Sequence, residues 1–241
     1  MTSIPRRRLS LRVPLPRSLV EPAQSDVLPR IAPWVVLVAA AIPVLLTAAW
    51  SVADVLQPRS YSPMRQTVSV LSGYAGTDRW IVTGALYVVG VAYLLTAVGM
   101  SGLAAAARVV LLVAGAAAIG IAAFPEPVQG TNRDHAICTA IGAIAIAAWP
   151  AIAARQESVL AAVGRRKTFA AIAVSLGLLV WTAAETRNGA QLGLAERLSS
   201  DLQVCWPFVV ALMLRRGQPH GSGQDEVDGQ DGQVGGHELD R

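Results

Sequence analysis

Few side chains in this sequence can hold, split or move a charged group, and most of those fall in three short stretches. The first, at 61–73, reads Tyr-Ser-Pro-Met-Arg-Gln-Thr-Val-Ser-Val-Leu-Ser-Gly and offers Arg65, Ser69 and Ser72. The second carries Glu126, Arg133, Asp134 and His135; the third carries Glu185, Arg187, Glu196, Arg197 and Asp201. An arginine fork holds an anionic group, while hydroxyls and a neutral imidazole orient it. Arg65, Ser69, Ser72, His135, Glu196, Arg197 and Asp201 are therefore the candidate ligand-binding residues. A second chemistry is nucleophilic, with Ser69 attacking, His135 as base and an acid such as Asp54 behind it. No Gly-x-Ser-x-Gly elbow accompanies that set. A structural alternative stands beside both: Arg197 and Asp201, four apart on a helix, neutralise each other, and Arg65 pairs with Asp54 or Glu196.

Other site chemistries find little here. His135 is the only histidine before the carboxy-terminal tail, so a zinc site lacks ligands, and only a carboxylate set of Asp54, Glu196 and Asp201 remains. Cys138 and Cys205 read as small residues in apolar segments rather than a disulfide framework. There is no phosphate-cradling glycine loop and no dinucleotide fingerprint. No metal and no cofactor is expected.

The segments that must position these residues are unusually apolar. Of 241 residues 53% are hydrophobic and 15% charged, and the mean hydropathy is +0.46. An ordinary soluble domain of this length is more polar, so the composition predicts an integral membrane protein. The apolar blocks are continuous and rich in Ala, Leu and Gly, which excludes the alternating pattern of a β-barrel and predicts an all-α bundle. Six spans are expected, at about 33–53, 80–100, 103–124, 135–154, 168–184 and 190–214. The last must begin well before its apolar run at 202–214, because thirteen residues rise too little to cross. It therefore carries Glu196, Arg197, Asp201 and Gln203 into or near the bilayer. Gly115 and Gly120 mark a close helix approach. Ser62-Pro63 reads as a helix start and Gly73 as a stop, predicting a short interfacial helix over 63–72 in the first outer loop.

Outside the bundle, 1–32 is a basic, proline-rich tail and 215–241 a glycine-rich acidic tail, both expected to be disordered. The Arg6-Arg7-Arg8 run lies too far from the first apolar block for a twin-arginine signal; an uncleaved anchor fits better. The net charge of +4 comes from basic residues that flank apolar runs, where they orient helices and meet anionic lipid rather than nucleic acid. Arg and Lys gather in the amino-terminal tail, the second and fourth loops and Arg215-Arg216. By the positive-inside rule both termini are cytoplasmic, and the three polar stretches share the outer face of a plasma membrane. Nineteen arginines against the single Lys167 suggest a GC-rich bacterial genome.

The order of features, namely the 61–73 motif, Phe124-Pro125 ending the third span, His135 opening the fourth, and Glu196-Arg197 before the last apolar run, resembles the DUF-998 family of uncharacterised bacterial multi-pass membrane proteins. The resemblance covers about 33–214. It implies a six-span bundle with Ser69, His135 and Arg197 at characteristic positions, and supplies no reaction. That family is in turn distantly similar to the Frag1/DRAM/Sfk1 group, some of whose members are linked to lipid handling. The functional expectation is an outward-facing polar pocket, roofed by the 63–72 helix, that binds a lipid headgroup or small polar ligand. The alternatives are an interfacial hydrolase or transferase using His135 with Ser69, and a structural or partner-binding membrane protein.

Overall fold

The computed structural model describes residues 31–218; of the tails expected at 1–32 and 215–241, residues 1–30 and 219–241 lie outside the described residues, and Arg215 and Arg216 continue the last helix. Every element within them is a helix: α1 Pro33–Leu56, α2 Val68–Ser72, α3 Trp80–Gly99, α4 Ala105–Ala123, α5 Arg133–Ala153, α6 Glu157–Val163, α7 Arg165–Asn188 and α8 Leu192–Arg216. Five of these, α1, α3, α4, α5 and α7, are long and apolar enough to cross a membrane. Their outer faces expose Leu37, Val44, Val88, Val98, Ile144 and Val180, as a lipid-facing surface does. The chain is accordingly a membrane protein. α8 is as long as the others, 25 residues, but Glu196, Arg197 and Asp201 break its apolar character.

The six long helices form a ring. α1 packs on α3, α3 on α4, α4 on α5, α5 on α7, α7 on α8, and α8 returns to α1. The packing is tightest on one side. Gly90 of α3 and Gly115 of α4 face each other so closely that a Cβ on either would sit 2.8 or 2.7 Å from the other's carbonyl oxygen. Only glycine lets two backbones approach that far. Gly120 likewise leaves room for Cys138 of α5, and the Trp149 indole donates to Ala107 O at 3.0 Å. On the opposite side α7 is the least enclosed of the five apolar helices.

Two departures from the sequence reading have local causes. The helix expected over 63–72 begins only at Val68, because Thr67 is extended (ψ 161). The preceding 62–66 segment closes a single turn in which Arg65 and Gln66 donate to Ser62 O, and the Gln66 side chain accepts from Ser62 N–H. The basic fourth loop contains a short helix, α6, with Val159 and Val163 buried one turn apart. That apolar pair was hidden by the charges around it. Gly164, at φ 92, then turns the chain into α7 through a conformation that a Cβ disfavours.

Candidate functional site

The α2 end of the ring is held by a knot of buried polar groups built on Arg197. Its guanidinium donates to Asp54 Oδ1 at 2.7 Å, to the Tyr61 hydroxyl at 2.5 Å, and to the carbonyls of Pro63, Gln66 and Gly193 at 2.9, 2.9 and 3.1 Å. Tyr61 donates in turn to Asp54 Oδ1 at 2.8 Å. Burial first, and then that hydrogen bond to a carboxylate, hold the Tyr61 phenol protonated well above its ordinary range. Trp50 lies under the guanidinium, its ring 5.3 Å away. A buried arginine is stable only when its charge and nearly all its donors are matched, and here one carboxylate, one hydroxyl and three carbonyls meet the two terminal nitrogens, leaving only Nε without a partner among the described residues. Gly193 makes the seat: a Cβ there would run into the carbonyl oxygens of Gln66 and Pro63.

The same contacts fasten α2 over the ring. Leu194 N–H donates to Met64 O at 3.1 Å and Tyr74 N–H to Glu126 O at 2.8 Å, while Thr83 Oγ1 donates to Ser72 O at 3.3 Å. Thr67 makes no side-chain cap of its own. The first amide of α2, at Val68, is met instead by Glu196 Oε2 of α8 at 3.1 Å, a carboxylate at the end of the helix where it is favoured.

Beneath α2 lies a cavity of about 280 Å³ to which all six long helices contribute. Leu86, Val89, Ile121, Ile146, Leu179 and Val204 make its apolar wall, and Thr67, Ser69, Ser72, Glu196 and Ser200 supply polar atoms. Thr186, at the α2 end of α7, both lines the space and is exposed, so the mouth lies beside the α7–α8 connection. Two further lining residues, Tyr93 of α3 and Thr139 of α5, bury hydroxyls that have no hydrogen-bond partner; Tyr93 is 3% exposed. Unpaired buried hydroxyls are rare and costly in a finished interior. Both hydroxyls lie on the cavity wall rather than in closed packing.

The seven candidate residues separate into distinct environments. Ser69, Ser72 and Glu196 line the cavity. Arg197 is consumed by the knot. Asp201 does not meet it: Asp201 Oδ1 accepts from Thr47 Oγ1 at 2.9 Å and Trp50 Nε1 at 3.2 Å, while Asp54 pairs with the guanidinium. Arg65 is exposed and meets neither Asp54 nor Glu196, both of which are engaged elsewhere. His135 is buried but does not line the cavity. Its Nδ1 lies 2.8 Å from Phe124 O, a group that only accepts, so Nδ1 carries the proton. Its Nε2 has no hydrogen bond and stands 3.8 Å from Glu126 Oε1. With Asn132, which caps α5 by accepting from Asp134 and His135 N–H, it braces the turn between α4 and α5. Among the described residues no hydrogen bond links His135 with Ser69. Tyr93 and Thr139 drew no notice in the sequence, since a lone hydroxyl within an apolar span looks like any core residue. Their only signal was polarity at span depth, shared with Thr182, Ser199 and Gln203.

Comparison with curated proteins and with solved structures finds no match. One family model, described as a protein of unknown function, covers residues 31–213, which takes in α2, every residue lining the cavity and all of the ring but the last three residues of α8. The chain therefore belongs to the DUF998 family.

Proposed function

We propose that this protein is a six-span membrane receptor or carrier for an amphiphile, which enters the cavity beneath α2 with its chain among the apolar wall residues and its head at the Ser69, Ser72 and Glu196 rim. The carrying observation is the cavity itself, wrapped by all six long helices and containing the unpartnered hydroxyls of Tyr93 and Thr139. Its volume is near the lower end of the about 300–1,000 Å³ typical of small-molecule sites, which are likewise mostly apolar with a few convergent polar groups. The mouth opens at the outer face of the plasma membrane in this reading. Arg108, Arg155, Arg165, Arg166, Lys167, Arg215 and Arg216 gather at the other end of the bundle, the distribution expected of a cytoplasmic side.

Native mass spectrometry of gently extracted protein tests the reading, beside the cavity-filling variants Ala118→Leu and Ala143→Leu. A co-purifying mass that both variants lose while melting no earlier than wild type supports it. A bare wild type whose variants simply melt later identifies the space as a packing void and overturns it.

A further inference from the structure

We propose that the cavity selects amphiphiles whose head is a protonated amine, and that Glu196 is the residue that recognises it. This rests on the reading of the cavity as an amphiphile site and assigns the head's chemistry. Of all the residues lining the space, Glu196 alone has a carboxyl or basic side chain, and an ammonium set against it would favour its ionised form. Its Oε2 accepts from Val68 N–H, and no hydrogen bond engages Oε1. The neighbouring Arg197 is paired with Asp54 at 2.7 Å and lies outside the lining, so it is not placed to meet a ligand head. Arg65, Arg133 and Arg187 are exposed and do not line it either.

Three of the lining hydroxyls, near the α2 end, point the same way. Ser72 Oγ donates to Ser69 O, Thr182 Oγ1 to Leu178 O and Thr186 Oγ1 to Ala183 O. Each has committed its proton to backbone, so what it offers a ligand is lone pairs. Three such acceptors on the wall that also holds the Glu196 carboxyl suit a head with several donors and a positive charge. A phosphate or carboxylate head would face the Glu196 charge across a low-dielectric space with no cation to meet it.

The test uses the full chain in phosphatidylcholine nanodiscs and three diazirine-bearing probes of one chain length: decylamine, decanol and decyl phosphate. Saturable photolabelling is mapped to the peptides containing Tyr93, Thr139 and Ser200. The amine is expected to saturate these sites at a concentration at least about tenfold below that of the phosphate, the ratio of a modest charge-pair preference. Glu196→Gln, which keeps an acceptor for Val68, should erase the difference while decanol labelling persists. If decyl phosphate labels the cavity as well as decylamine does, the amine assignment falls and the amphiphile site stands. If no probe saturates the cavity peptides, the site itself falls, and the assignment with it. Adding unlabelled phosphatidylethanolamine separates two sources of the ammonium: displacement of decylamine assigns it to a bilayer headgroup, and no displacement to a free amine. Both outcomes keep the ammonium.

Discussion

Glu196 and Arg197 are adjacent in the chain and opposite in circumstance. Arg197 faces α1 and the 61–66 turn, where five oxygens surround its guanidinium; Glu196 faces a cavity and has one recorded hydrogen bond. A matched buried charge holds a fold together, whereas an incompletely matched one beside open space is poised for something else to complete it. The contrast lies within a single turn of helix, although both residues belong to the same sequence motif.

The largest effect that would break this contrast lies on the Arg197 side. Arg197→Ala leaves Asp54 buried without its cation and should cost about 3–5 kcal/mol, measured by equilibrium unfolding in mixed micelles. The double variant Asp54→Asn with Arg197→Met should recover part of the loss, since it removes the stranded charge as well. Gly193→Ala comes next: its Cβ must push the 63–66 backbone off α8, at about 1–3 kcal/mol in the same assay. Tyr93→Phe tests the cavity side with the opposite sign. Deleting an unpartnered buried hydroxyl should leave the empty protein unchanged or more stable, by up to about 1 kcal/mol, while weakening retention of the proposed amphiphile in native mass spectrometry. Arg65→Ala should change stability by less than about 0.5 kcal/mol and leave ligand retention unaltered. A large effect there would return an arginine to the site and erase the distinction drawn here.

Much of the architecture was legible because period and length speak plainly in apolar segments. The starts of α1 and α3 at Pro33 and Trp80 fall at the expected positions, and Gly115 and Gly120 sit where helices crowd. The site was harder to read. Seven polar residues converge on one end of the bundle by topology, but the side of the helix each one faces depends on ring order, which no local pattern encodes. Arg197 therefore looked like a ligand contact, when its partners Asp54 and Tyr61 are far away in sequence. Tyr93 and Thr139 were overlooked for the converse reason: their distinction is the lack of a partner, and a sequence cannot display a missing hydrogen bond.

The ring closes between its first and last helices, with Asp54 and Arg197 separated by 143 residues. A chain made from its amino terminus delivers α1 long before α8. Through that interval Asp54 waits with no counter-charge, the groove between α1 and α7 stands open to lipid, and α2 has nothing to cap its first amide. Arrival of α8 supplies the cation, the cap and the last wall together. The knot is thus a latch that only the last helix can close, and a nascent protein stalled before residue 197 would lack its cation, its cap and its last wall at once.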